Sequence, residues 1–210
     1  MMEFVDTPSG DILFAACDSL YWNDHVPPLV ASADAVGNDI HIHVVNPTQH
    51  VADDYVKLKK QVKNIKFTMS FESTDLSLVD TRTYYSVARF LIADQVLQKV
   101  NSMIITDVDA LVMKKLEFPD KKLGLYLRDS LPGTIGWELM GTKVAAGIVY
   151  LTQDSYSFIK GVNDFINFGA DVMDWQFTSD SYLWTGKGDR KYKDPTYVNK
   201  KIEFHKCYQL

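Results

Sequence analysis

The sequence predicts an α/β domain built around a mostly parallel sheet. Short apolar runs alternate with longer segments whose apolar residues recur at helical spacing. Aspartates follow several of the apolar runs directly. Strands that alternate with helices form parallel sheets, and open sheets of this kind bind ligands beyond the carboxyl ends of their strands. We therefore expect a functional site at that edge of the sheet.

The first half of the chain alternates regularly. The predicted strands cover residues 12–16, 40–45, 65–69 and 102–106. One predicted helix ends at residue 35, and two others cover residues 51–62 and 81–100. Asn23 and Asp24, followed by Pro27 and Pro28, supply a cap and a first turn for the first helix.

The second half is less regular. Residues 123–127 and 145–151 are predicted strands on either side of a glycine-rich stretch, and residues 156–168 are a predicted helix. Mixed, partly antiparallel pairing is expected there. No repeat or linker divides the sequence, so residues 1–210 are expected to form a single domain.

Composition excludes several classes of function. The net charge is −5 and basic residues form no long run, which argues against binding to nucleic acid. The start lacks a secretory signal pattern and no apolar segment is long enough for a membrane span, so we expect a soluble, cytoplasmic protein. Cys17 and Cys207 are expected to be free thiols.

Asp107 and Asp109 interrupt an apolar run that covers residues 103–106 and resumes at residues 110–112. Carboxylates in such a run need a partner that neutralises them. In an extended segment the two side chains would point to one side and could bind a hard cation, Mg²⁺ or Mn²⁺. The alternative is a turn with solvated carboxylates.

The ordered set of motifs resembles nucleotide-sugar glycosyltransferases of the GT-A fold, most closely the family 8 type that includes glycogenins and bacterial lipopolysaccharide galactosyltransferases. The matching segments are residues 12–18 with Tyr21, residues 84–90, residues 104–109, residues 145–151, the acidic segment 174–180 and His205. The resemblance implies a Rossmann-like mixed central sheet flanked by helices.

It also implies an activity. The enzyme would transfer a sugar, with retention, from a nucleotide-diphosphate sugar of the UDP type to a hydroxyl of a carbohydrate or glycoconjugate acceptor. No residue in the sequence identifies a nucleophile or a base, so the stereochemistry stays open.

For the metal, the resemblance implies that Asp107 and Asp109 hold Mn²⁺ or Mg²⁺ against the donor diphosphate, with Val108 in the donor site. His205 would complete the metal site. A single histidine after a strand is otherwise a surface or packing residue.

For the donor, the resemblance implies that Arg89 contacts a phosphate and that Asp18 and Tyr21 form the pocket for base and ribose. The alternatives are an ion pair of Arg89 with Asp94 or a nearby loop acid, and a plain turn with a core tyrosine. Gly147 falls in a segment that contacts the sugar, or simply permits close backbone approach.

For catalysis, Asp180 resembles the aspartate of the family's D-Q-x-x-L segment, with Ser181 in place of the glutamine. Asp174, followed by Trp175 and Gln176, is a competing alignment. Asp174 and Asp180 are therefore both candidate catalytic residues, and Gln176 is a candidate donor contact. A helix N-cap is the structural alternative for either aspartate.

The family's glycine and lysine-proline-tryptophan lid is missing after His205, which leaves Lys206 as the nearby cation for a phosphate. A second subunit, as in a homodimer, could supply a lid. Two other functions stay open: a nucleotide-sugar or glycan binding protein without turnover, and a haloacid-dehalogenase-type phosphatase with Asp107 as nucleophile. His41 and His43 are expected to be structural.

Overall fold

The computed structural model describes residues 2–77, 81–128 and 143–172. This part of the chain forms seven strands: β1 (Met2–Phe4), β2 (Asp11–Asp18), β3 (Ile40–Val45), β4 (Phe67–Glu72), β5 (Ser102–Thr106), β6 (Leu123–Arg128) and β7 (Lys143–Thr152). It also forms five α-helices: α1 (Ser19–Val36), α2 (Gln49–Gln61), α3 (Thr81–Leu91), α4 (Ala93–Leu97) and α5 (Tyr156–Val172).

All seven strands belong to one mixed sheet in the order β1-β4-β3-β2-β5-β7-β6. The four central strands β4, β3, β2 and β5 run parallel. At one edge β1 is antiparallel to β4, and at the other β7 is antiparallel to both β5 and β6. The predicted α/β fold, with parallel pairing in the first half and antiparallel pairing in the second, is confirmed.

Helices cover both faces of the sheet because successive strand residues point to opposite sides. On one face, Leu13 and Ile42 pack with Trp22 and Leu29 of α1. On the other face, Phe14 and Ile105 belong to a cluster that includes residues of α3, α4 and α5. The central strands are thus buried on both sides, which explains their continuous apolar runs.

Several element boundaries differ from the predictions, among them those of β4, which covers residues 67–72 rather than 65–69. Helix α1 begins at Ser19 rather than near the prolines, because the Asp18 carboxylate caps it by accepting a hydrogen bond from the Tyr21 backbone N–H at 2.8 Å. The long predicted helix is divided at Ile92, whose φ of −112° departs from helical geometry. The edge strand β1 was not predicted, since three residues carry too little pattern.

Within the described residues, no helix combines the length and the apolar character that crossing a membrane requires. Cys17 is a free, buried thiol in β2, as expected, and burial together with the neighbouring Asp18 charge raises its pKa.

Candidate functional site

Three acidic residues lie at the carboxyl ends of the parallel strands. Asp18 ends β2, Glu72 ends β4, and Asp107 directly follows β5. Asp18 pairs with Val45 in register, and Val45 pairs with Glu72, so Asp18 and Glu72 stand two strands apart in one row of the sheet. This is the edge at which the sequence predicts a ligand site.

Asp107 forms an ion pair with Arg89 of α3, whose Nη1 lies 2.9 Å from Asp107 Oδ1. The arginine side chain is 9% exposed and the aspartate side chain is 49% exposed. Burial of a guanidinium requires a nearby anion, and Asp107 supplies it. Asp107 lies in the loop after β5, so the alternative of an ion pair with a nearby loop acid is observed, and this acid is also one of the predicted metal ligands.

Because Gly147 of β7 has no side chain, it leaves room for Oδ2 of Asp107, the other oxygen of that carboxylate. A Cβ at this position would stand 2.3 Å from Asp107 Oδ2, far inside van der Waals contact. Strand β7 pairs with β5 up to Thr106 and Ile148, which sets Gly147 beside Asp107. Gly147 therefore permits a close approach, that of the Asp107 carboxylate to β7, and its predicted contact with the sugar stays a prediction.

The Asp107-Val108-Asp109 segment is a turn and not the extended chain that was expected. The Ala110 N–H donates to the Asp107 carbonyl at 3.3 Å. Val108 is 6% exposed and packs in the α1 face of the core, whereas Asp109 is exposed. Since the segment turns, strand alternation does not apply to the two carboxylates, and the turn of the alternative interpretation is the conformation observed.

Asp18 and Tyr21 lie where the strand β2 passes into α1. The Asp18 carboxylate is engaged as the helix cap, and the Tyr21 ring is 50% exposed, so the alternative of a core tyrosine is wrong. Tyr85 of α3 packs against a small cluster that includes Ala16 of β2 and Val45 of β3. Burial and then the Asp18 charge raise the pKa of Tyr85. An exposed ring, a carboxylate and a second tyrosine thus surround the carboxyl end of β2.

The side chains at this edge of the sheet supply part of a ligand set for a divalent ion. Asp107 and Asp109 offer the hard oxygen ligands that Mg²⁺ and Mn²⁺ prefer, and the absence of a Cβ at Gly147 keeps Asp107 Oδ2 clear of its neighbour strand. Across residues 2–77, 81–128 and 143–172, no three His, Cys, Asp or Glu side chains group as ligands. The third expected ligand, His205, lies outside this part of the chain.

A buried polar chain runs behind the site, and sequence reasoning did not find it. His41 contacts Thr68 Oγ1 through Nδ1 and Ser70 Oγ through Nε2, both at 2.8 Å. His43 Nδ1 lies 3.0 Å from the same Ser70 oxygen, and its Nε2 lies 3.6 Å from Glu72 Oε1. Both histidines are structural, as expected, and burial lowers the pKa of His41 to about 3.

Glu72 is the last member of this series of buried polar side chains, and it connects the series to α3. The Tyr84 hydroxyl donates to Glu72 Oε1 at 2.8 Å. Burial favours the neutral acid, but the contacts from His43 and Tyr84 outweigh it and hold the pKa of Glu72 below its ordinary value. The available signal was the alternation of polar residues along two apolar strands, at positions 41 and 43 and at positions 68, 70 and 72.

Five predicted site residues lie outside the described residues: Asp174, Gln176, Asp180, His205 and Lys206. Cys207 is also outside them. Their predicted roles stay predictions.

No protein-family model matches the chain, and no curated protein matches it in sequence. Solved structures do match its fold. The bifunctional glycosyltransferase WbbM, in its apo structure, is 11% identical with a TM-score of 0.53; the match covers 74% of this chain and 34% of WbbM. The galactosyltransferase LgtC, in complex with donor and acceptor sugar analogues, is 17% identical with a TM-score of 0.52.

The LgtC match covers 91% of this chain and 82% of LgtC. The chain therefore spans most of the LgtC structure but only about a third of the WbbM chain. These likenesses establish the fold: the chain has the α/β architecture of GT-A glycosyltransferases, in agreement with the fold that its motifs predict.

Proposed function

We propose that this chain is a metal-dependent glycosyltransferase that moves a sugar from a nucleotide-diphosphate sugar, of the UDP type, to a hydroxyl of a carbohydrate or glycoconjugate. The observation that carries the proposal is the Arg89 and Asp107 pair beside Gly147, at the carboxyl edge of a sheet with a glycosyltransferase fold. A cation and a half-exposed carboxylate at this edge suit a diphosphate and its counter-ion.

Asp107 and Asp109 would hold Mn²⁺ or Mg²⁺, with His205 as the third ligand. When bound, the ion would neutralise charge that develops on the departing nucleoside diphosphate. Retention of configuration is part of the proposal, with either Asp174 or Asp180 as the acid that faces the sugar.

The remaining donor contacts are proposed for residues on several elements. Arg89 holds one oxygen of Asp107 and so fixes the orientation of that carboxylate. Arg89 would also contact a phosphate of the donor, because a guanidinium suits phosphate geometry. Asp18 and Tyr21, at the carboxyl end of β2, would receive the base and ribose, since an exposed ring can stack and a carboxylate can accept. Gln176, Lys206 and the backbone at Val108 and Gly147 would complete the donor contacts.

The test measures binding of UDP to the chain by calorimetry, with MnCl₂ and with EDTA, and then hydrolysis of UDP-glucose and UDP-galactose. We expect binding that needs the metal and slow hydrolysis of at least one of the two sugars. Absence of UDP binding in the presence of Mn²⁺ would overturn the proposal.

Two further results separate the alternative functions. Tight UDP binding with neither hydrolysis nor transfer would identify a binding protein. Turnover of an aryl phosphate, with no response to UDP, would identify a phosphatase that uses Asp107. The same protein preparation serves all three measurements.

A further inference from the structure

Glu72 occupies a distinctive position in the described part of the chain. It ends β4 in the same row of the sheet as Asp18, it is 8% exposed, and it receives the Tyr84 hydroxyl from α3. Helix α3 also carries Arg89, the partner of Asp107, and Tyr85, which packs against Ala16 near the carboxyl end of β2. A single helix therefore links the buried carboxylate to both ends of the candidate donor site.

The buried polar chain packs against the end of β4. His41 Nε2 and His43 Nδ1 both contact the Ser70 hydroxyl, whereas His43 Nε2 lies 3.6 Å from Glu72 Oε1, beyond hydrogen-bond distance. The hydrogen bond to Glu72 Oε1 comes instead from the Tyr84 hydroxyl.

This arrangement fixes Glu72 in place. Its Oε1 receives the Tyr84 hydroxyl at 2.8 Å and faces the fully buried His43 Nε2 at 3.6 Å. Hydrogen bonds to an ionised, poorly solvated acceptor are stronger than those between neutral groups. The bond from Tyr84 is therefore a firm tether between the end of β4 and the first half of α3.

We propose that Glu72 is a positioning residue for the donor site, which acts by holding Tyr84 and with it the helix that presents Tyr85 and Arg89. This inference rests on the proposed function. When the tether is lost, α3 spends less time in the arrangement that binds the donor. The apparent dissociation constant rises in inverse proportion to that population.

The chain contains a matched control. Tyr55 of α2, on the opposite face of the sheet, also donates its hydroxyl to a carboxylate, that of Asp6. Burial raises the pKa of Tyr55 and of Tyr84 alike, and both phenols lie close to the carboxylate they contact. Tyr55→Phe and Tyr84→Phe thus remove the same atom from the same kind of bond, but only the second bond belongs to α3.

The experiment measures the dissociation constant of UDP with MnCl₂ and the free energy of unfolding in urea for wild type, Tyr84→Phe and Tyr55→Phe. We expect both variants to lose similar stability. UDP affinity should fall about five- to tenfold in Tyr84→Phe and stay within twofold of wild type in Tyr55→Phe. Equal affinities in the two variants would overturn the inference. Failure of wild type to bind UDP would instead overturn the proposed function, and the inference with it.

Two substitutions of Glu72 give an independent measurement. Glu72→Gln keeps an oxygen that accepts from Tyr84, whereas Glu72→Leu removes it with little change in volume. We expect Glu72→Gln to bind UDP within about threefold of wild type and Glu72→Leu to match Tyr84→Phe. Equal loss in both Glu72 variants would show that the carboxylate does not act through Tyr84, and would overturn the inference even if Tyr84→Phe does not fold.

Discussion

Asp18 and Asp107 are two aspartates at the ends of neighbouring parallel strands, and the chain neutralises them in different ways. Asp18 is followed directly by α1, and the backbone N–H of Tyr21 donates to its carboxylate at 2.8 Å. Asp107 is followed by a turn, and its partner is Arg89 of α3, a helix that precedes β5 in the sequence.

The difference follows from what comes after each strand. A helix offers unpaired N–H groups at its first turn, so a carboxylate there is satisfied locally. A turn offers few such groups, so the carboxylate depends on a cation from a distant element. Asp107 therefore combines partial exposure with a fixed orientation, which suits a residue that must bind a ligand, whereas Asp18 has a structural role whether or not it contacts the donor.

The largest expected effect comes from Asp107→Asn. It removes the charge that faces Arg89 and one proposed metal ligand, so turnover of a UDP-sugar with Mn²⁺ should fall about 10³-fold. The free energy of unfolding should also fall, by about 1–3 kcal/mol, because the Arg89 side chain is buried and loses the charge that it faces. Turnover assays and urea unfolding measure the two quantities.

The control for Asp107→Asn is Asp164→Asn, which makes the same change in an exposed ion pair with Lys160 at 2.8 Å. This variant should change neither turnover nor stability measurably. Turnover that survives in Asp107→Asn would place the chemistry elsewhere and remove the contrast with Asp18.

The next effect concerns Gly147→Ala. Its Cβ would stand 2.3 Å from Asp107 Oδ2, so either the carboxylate or strand β7 must shift. Since displacement of a reacting group by about 1 Å costs up to ~10²-fold in rate, we expect a loss of about that size in UDP-sugar turnover.

Gly37→Ala is the control for the glycine. Gly37 ends α1 with φ of 76°, and an added Cβ there meets no atom within 4 Å. The substitution should cost about 1 kcal/mol of stability through backbone strain and leave turnover unchanged. If Gly147→Ala behaves in the same way, close approach at Gly147 serves the fold rather than the site.

The central strands were predictable because strands that are buried on both faces of a sheet consist of continuous apolar runs. Residues 102–106 were predicted with the bounds that β5 has, and the acidic pair after them was correctly placed at the carboxyl edge. Helix α1 was predicted to start too late, since Asp18 was assigned to a binding pocket and its capping role was not considered.

The partners across the sheet were not predictable. The pairing of Arg89 with Asp107 requires the relative placement of α3 and β5, which no local pattern encodes. The chain from His41 to Glu72 depends on the register of β3 against β4, and a shift of one residue would turn its members to the opposite face. Spacing within one segment is visible in a sequence, whereas distances between segments are set by packing.

The smallest expected effect separates the two roles of Asp18. Asp18→Ala removes the helix cap and should lower the free energy of unfolding by about 1 kcal/mol, whereas Asp18→Asn keeps a side-chain oxygen that accepts from the Tyr21 N–H and should change it by only a few tenths. Calorimetric titration with UDP then tests the second role. If Asp18 also contacts the donor through its charge, both variants should bind UDP several-fold more weakly, although only one is destabilised. Wild-type affinity in Asp18→Asn would restrict Asp18 to capping, and would leave Asp107 as the strand-end aspartate that serves the ligand.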